Sequence, residues 1–385
     1  MKFLKSIFGS DARVPKVDLD RRFEVIGQIG QGSMSRVWRV RDLGTGKIAA
    51  LKVLDGEKTR RFEARFVGLE KPTEGEAAVQ LQHPHIVHTY ETGISTDNLQ
   101  FLAMELIQGV GLNYLVDVQN EKMQEDRLRF ILELGDAIHY FHQAEWIHRD
   151  ICPRNVLLNQ DYQVKLIDFG LVVPNTPPFR KPGNRTGTVS YMAPELIKRQ
   201  STDQRIDIFS FAATCYEMFA KRLPWDHSGV SLEMVLQHIN QPPIDIRTFV
   251  PDIDEQIADA IMIGLSTHPD DRWSSISEMI SEIRQARKRL EGVEDASLKY
   301  LDRVQSAPDS DSRKLDGDFF NQPGVHSVSA MASSTEFDDD EDVSATVQGG
   351  AASRIKQSAE DEDGYIDLDS YFEVDDDDDD DYEEV

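Results

Sequence analysis

Apolar and polar residues alternate from Phe23 to Ile29, the period of a half-buried strand. The alternation breaks at Gly30 and Gly32, and Arg36-Val37-Trp38-Arg39-Val40 then resumes it, so a hairpin over a glycine-rich turn is expected. Asp42 to Gly46 makes a second turn before an apolar run, Ile48-Ala49-Ala50-Leu51-Lys52-Val53-Leu54, that predicts a third strand. Helical spacing from Phe62 to Leu81 predicts one helix, interrupted near Gly68, Pro72 and Gly75. Strand-like runs follow at His85 to Tyr90 and Leu99 to Ile107, so one helix among five strands makes a small α+β unit. From Leu112 the period becomes helical: in Arg127 to His142 the residues Leu128, Ile131, Leu132, Gly135 and Ile138 fall close to one face. A mainly helical half then runs to about Leu290, its last helix spanning Ser277 to Leu290 and reaching toward Val304. Beyond residue 305, Ser, Asp, Gly and Ala dominate, no apolar period survives and disorder is expected.

Charge divides the chain at the same place. Of 69 acidic residues 30 lie after Leu290, against 6 of the 42 basic ones, so the formal charge of −27 splits into −3 before and −24 after that point. A polyanionic tail repels phosphate, which argues against nucleic acid and anionic membranes as partners and favours basic protein surfaces, the chain's own folded part included. Two cysteines, Cys152 and Cys215, make neither a disulfide framework nor a zinc site, and a reducing cytoplasm is the expected location. No apolar run is long enough for a transmembrane segment. The octet Met1 to Phe8 is too short for the apolar core of a secretory signal and reads as a frayed terminus.

Against this background, His148-Arg149-Asp150-Ile151-Cys152-Pro153-Arg154-Asn155, followed by Asp168-Phe169-Gly170, carries the chemistry. A carboxylate to orient or deprotonate a hydroxyl (Asp150), an amide for a metal ion (Asn155) and a second metal-binding carboxylate (Asp168) suit transfer of a phosphoryl group. That reaction needs positioning and charge neutralisation more than covalent work. A strand-turn-strand run, Val156 to Ile167, separates the two aspartates. Gly30-Gln31-Gly32 alone is only a turn, and Lys52 alone could be a charge that protects a strand edge.

Together and in this order, these segments resemble the eukaryotic-type protein kinases over residues 22 to 290; the stretch Asp207 to Trp225 looks most like the bacterial serine/threonine members. The resemblance implies a two-lobed α+β fold: a lead-in at 1–21, an N-lobe at about 22–104, a hinge at about 105–111, a helical C-lobe at about 112–290 and the acidic tail at 291–385. It implies an ATP site of Ile29, Gly30, Gly32, Val37, Ala50 and Lys52, with Glu74 as the lysine's partner and Glu76 as the alternative. Met104 would stand behind the adenine, Glu105 and Ile107 would bond it and Leu157 would floor it. Asn155 and Asp168 would hold Mg²⁺, or Mn²⁺ in its place. Thr188, Glu195, Asp207 and Arg272 would be structural, Glu195 and Arg272 as a buried ion pair.

The sequence departs from the family at two points. Ser35 replaces the third glycine of the phosphate-covering loop, and Cys152 stands where serine/threonine kinases carry a lysine that neutralises the transferring phosphate. Arg154 matches the arginine that tyrosine kinases use in that space, and is the expected source of the missing charge. Arg149 before Asp150 implies activation by phosphorylation between residues 171 and 193, with Thr176 and Thr186 as candidates. The expected function is transfer of the ATP γ-phosphoryl group to serine and threonine hydroxyls of proteins, basic ones among them. An inactive kinase fold serving as a scaffold is the alternative.

Overall fold

The computed structural model describes residues 15–31, 34–66, 68–181, 186–225 and 241–306, with backbone alone for Gln31 and for 293–306. Gly32, the octet Met1 to Phe8 and the acidic tail past 306 lie outside the described residues. A folded unit reaches Arg287, and the described residues from Lys288 belong to a second unit.

A four-residue helix, α1 (Leu19–Arg22), leads into a five-stranded antiparallel sheet of β1 (Phe23–Gln31), β2 (Ser35–Asp42), β3 (Ile48–Leu54), β4 (Thr89–Ile94) and β5 (Gln100–Met104), in the order β1-β2-β3-β5-β4. Strand β1 continues through Gly30 to Gln31, and its pairing with β2 slips twice, between Val25 and Gly27 and between Gln28 and Gly30. Such slips increase local twist and curl the end of the hairpin. Central strand β3 is covered on both faces. Ala49 and Leu51 pack with Phe23, Val40, Phe101 and Ala103 on one side, while Ala50 and Lys52 face the other. A lysine there requires counter-charges, since a buried ammonium is costly unless paired.

The single helix expected over Phe62 to Leu81 is two helices, α2 (Gly56–Ala64) and α3 (Glu74–Ala78). Helix α2 starts earlier than expected because Asp55 caps it, accepting from the N–H groups of Glu57 and Lys58 at 2.9 and 3.0 Å. Gly68 takes a φ of +76° between the helices. Thr73 then opens α3 with a capping box to Glu76. Gly75 lies inside α3 and does not break it. A Cβ there would sit 1.9 Å from Thr92 Oγ1, so glycine serves close packing on β4. The strand expected at His85 to Tyr90 begins only at Thr89, because His85 and Val87 bond elsewhere: the Val87 N–H donates to Leu166 O and the Leu166 N–H to His85 O, at 3.0 and 2.8 Å.

Beyond β5 a three-stranded sheet forms from β6 (Gly109–Gly111), β8 (Val156–Asn159) and β9 (Val164–Leu166), and a two-stranded one from β7 (Trp146–Ile147) and β10 (Val173–Pro174). Gly109 to Gly111 thus belongs to a sheet of the helical lobe rather than to the linker. The α-helices that follow among the described residues are α4 (Leu112–Val118), α5 (Glu121–Gln143), α6 (Pro194–Ile197), α7 (Arg205–Ala220), α8 (Glu255–Gly264) and α9 (Ile276–Ser306). Helix α7 is apolar on nearly all sides and buried over nearly its whole length, the pattern of a central core helix. Its Asp207 holds the backbone of the loop at His148 and Arg149.

Candidate active site

Lys52 reaches from β3 to two carboxylates, Glu74 Oε1 at 2.6 Å and Asp168 Oδ1 at 2.8 Å. Burial pulls the ammonium toward neutrality, but the charges of Asp168 and Glu74 outweigh it and hold Lys52 protonated above its ordinary range. Asp168 is pushed up by desolvation, yet Lys52 and the Gly170 N–H, 3.0 Å from Oδ1, bring it below the usual aspartate value. Glu76, the alternative partner for Lys52, is committed to capping α3.

Asp207, wholly buried at the start of α7, accepts the backbone N–H groups of His148 and Arg149, both at 2.8 Å, and His142 Nε2–H at 2.9 Å. These bonds hold Arg149 at a φ of +71°, and Asp168 takes +66°; left-handed non-glycine residues of this kind cluster at functional sites. The turn aims Asp150 into the cleft. Its Oδ2 accepts from Asn155 Nδ2 at 2.7 Å, and its Oδ1 from the Thr188 N–H and hydroxyl at 2.7 and 2.8 Å. Burial raises the Asp150 carboxyl above its ordinary value despite these donors. Gly187 precedes Thr188 at a φ of +138°, where a Cβ would lie 2.8 Å from Arg149 O.

The cleft, of about 360 Å³, is lined by Ile29, Gly30, Val37, Ala50 and Lys52 from above, Met104, Glu105 and Ile107 at the back, and Leu157, Asn155, Asp168, Asp150 and Arg154 from below. At the linker the Glu105 N–H is spent on His88 O at 2.9 Å, so the group Glu105 can offer a base is its carbonyl. Its carboxylate accepts from the His88 N–H at 2.8 Å and Lys165 Nζ at 2.7 Å. At the other end of the segment Glu195 forms a two-pronged pair with Arg272, both bonds at 2.7 Å.

A model of the protein kinase domain matches residues 23–286. The chain belongs to the protein kinase family. Similar proteins include a probable serine/threonine-protein kinase of Streptomyces coelicolor, 30% identical over 273 residues that cover 69% of this chain and 40% of that protein. Serine/threonine-protein kinase PknB of Mycolicibacterium smegmatis is 28% identical over 277 residues, 69% of this chain and 43% of its own. PrkC of Bacillus subtilis is 25% identical over 273 residues, 69% and 40%. This kinase chain spans about two fifths of the length of those relatives.

Two residues of the kinase cleft stand where the sequence departs from the expected pattern. Cys152 is buried, its Sγ 3.8 Å from the Thr188 hydroxyl, and burial followed by the Asp150 charge pushes its thiol far above the usual range. It packs and supplies no charge. Arg154 is exposed at the lip of the cleft, and its positive charge acts on Glu217 and on Tyr191, whose hydroxyl donates to Glu217 at 2.5 Å. Of the phosphorylation candidates, Thr176 is half-buried, and Thr186 is fully buried with a hydroxyl that has no hydrogen-bond partner among the described residues.

The sequence reading passed over Val87, Thr89 and Leu102, which also line the kinase cleft. Leu102 could have been found from register, because it pairs with Lys52. Thr89, whose buried hydroxyl also has no partner among the described residues, carries no sequence signal. No helix among the described residues is long and apolar enough to cross a membrane.

Proposed function

We propose that this chain is an ATP-dependent protein serine/threonine kinase. The observation that carries the reading is the convergence of Asp150, Asn155, Asp168 and the Lys52–Glu74 pair on one cleft. ATP would lie with its base between Ile29, Val37 and Leu157 and against the Glu105 carbonyl and Ile107 N–H, and its α- and β-phosphates on Lys52. Asp150 orients the acceptor hydroxyl and takes its proton as the oxygen bonds to the γ-phosphorus and the bond to the β-phosphate oxygen breaks, leaving ADP. Arg154 supplies the positive charge that Cys152 lacks. A hard divalent cation fits the donor set: Asn155 uses its amide nitrogen on Asp150, leaving its carbonyl oxygen, and Asp168 uses Oδ1 on Lys52 and Gly170, leaving Oδ2. When bound, Mg²⁺ neutralises phosphate charge.

Thr188 beside Asp150, together with the names of the relatives, supports serine and threonine as acceptors. The acidic tail favours basic proteins as substrates or partners, and a cytoplasmic setting suits both buried thiols. Incubation of the full chain with labelled ATP, Mg²⁺ and a basic protein should give phosphoserine and phosphothreonine, lost in Asp150→Asn. Absence of incorporation by the wild type, or its persistence in Asp150→Asn, refutes the proposal.

A further inference from the structure

Helix α3, which carries Glu74, has only five residues. A helix that short cannot sustain itself, so the place of Glu74 depends on packing against β4 and on what holds the segment leading into it. That segment descends from Phe66 by a series of tight turns: Leu69 N–H bonds Phe66 O at 2.9 Å, Lys71 N–H bonds Leu69 O at 2.9 Å, and Thr73 then caps α3. Its apolar anchor is an aromatic group. Phe62 and Phe66 meet edge-on with ring centroids 5.4 Å apart, and the Lys71 ammonium lies 5.1 and 5.7 Å from the two rings.

The third ring of the group comes from the other lobe. Phe179, from the segment between Asp168 and Glu195, has its centroid 6.0 Å from that of Phe66. Its own backbone is held from below. Asn175 N–H donates to Glu145 O at 2.7 Å and Asn175 Nδ2 to Gln204 Oε1 at 2.8 Å, while Arg180 O accepts from the Thr202 N–H and the Ser201 hydroxyl, both at 2.9 Å. Between these ties, Pro177 and Pro178 restrict φ and a single 3₁₀ turn, Pro177–Arg180, closes on Thr176 O. Both sides of the contact are therefore prearranged: a braced turn below presents one ring, and the lead-in to Glu74 receives it above.

Resting on the kinase reading, we propose that Phe179 is a positioning residue for phosphoryl transfer, acting through Phe66 to hold the segment that sets Glu74 against Lys52. Neither ring touches the cleft, so the base pocket is untouched by loss of the contact.

The test uses the full chain as wild type, Phe179→Ala, Phe179→Tyr and, from the opposite side, Phe66→Ala. Amide hydrogen exchange is followed over residues 74–79 and over α7, with kcat and KM for ATP measured alongside. Loss of an aromatic contact should speed exchange at 74–79 roughly three- to tenfold with α7 unchanged, and lower kcat by a similar factor with KM for ATP within about twofold. Phe179→Tyr, which keeps the ring, should restore both. Unchanged exchange at 74–79 in both alanine variants, a rise shared equally by α7, or an undiminished kcat despite a local rise would each overturn the inference. If the wild type transfers no phosphate, the kinase reading fails, and the exchange data alone decide whether Phe179 holds Glu74.

Discussion

Removing the carboxylate of Glu195 should cost the fold far more than a surface ion pair would. The Arg272 guanidinium has five N–H donors, and each is used: two on Glu195 at 2.7 Å, the others on Ser266 O at 2.8 Å, Arg205 O at 3.0 Å and Thr267 O at 3.2 Å. Side-chain exposures are 0% for Arg272 and 3% for Glu195, and the guanidinium also lies 4.8 Å from the Phe209 ring centroid. In Glu195→Ala two donors of a buried cation lose their acceptors and its charge loses its counter-ion, while three carbonyl bonds survive. Breaking such a pair from one side costs about 3–5 kcal/mol, and the surviving carbonyl bonds favour the lower half of that range. For a domain of this size the loss corresponds to a fall in melting temperature of roughly 10 °C. Urea and thermal denaturation of wild type, Glu195→Ala and the double variant Glu195→Met/Arg272→Leu provide the assay. The double variant should be the more stable of the two, because it removes the stranded charge. Water does not reach the pair, so the cost should be similar in 0.1 M and 1 M salt. A cost below about 1 kcal/mol, a cost that disappears in high salt, or a double variant less stable than Glu195→Ala would each refute this account.

Arg154→Ala should lower kcat roughly ten- to hundredfold, the worth of a charge-assisted contact to phosphate; unaltered phosphoryl transfer would show that the charge comes from elsewhere. Because burial raises the Asp150 carboxyl and only its ionised form takes the hydroxyl proton, activity should be lost as pH falls through a value above the ordinary aspartate range near about 4. An acid limb at or below that range in the kcat/KM profile contradicts the assignment. Gly75→Ala, which would favour an isolated helix, should destabilise this one by about 1–3 kcal/mol and reduce activity through Glu74, since the new Cβ meets Thr92. Wild-type stability in denaturation would dispose of that packing argument.

Much of this was legible in the chain because it is local. The alternation from Phe23 to Val40 and the apolar run Ile48 to Leu54 place three strands to within about two residues, and the helical period around Ile131 locates α5. The break of the expected helix between Ala64 and Glu74 was visible in Gly68 and Pro72, whereas the Asp55 cap that moved its start was overlooked. What local pattern could not reveal were contacts made across the fold. His85 to Val87 has strand composition, yet its hydrogen bonds go to Leu166. Gly75 resembles a helix breaker until Thr92 is seen against it, and nothing near Phe66 or Phe179 in sequence announces their meeting. The pairing of Glu195 with Arg272 was accessible only through family resemblance. Burial of Thr186 had no sequence signal at all.

The bonds between His85, Val87 and Leu166 have a mechanical consequence. They fasten the sheet lobe to the helical lobe at a second place besides the linker at Glu105, which is itself tied to Lys165. Two pinned points define an axis for any swing of the lobes, and the Lys52–Asp168 and Phe66–Phe179 contacts limit that swing. The base end of the cleft lies beside those pins and keeps its width as the lobes swing. Gly30, in the curled end of the β1–β2 hairpin, belongs to neither pin, and a small rotation displaces it more than the base end. Molecules that fill the base end therefore meet nearly constant walls, and the phosphate end is where opening and closing is felt.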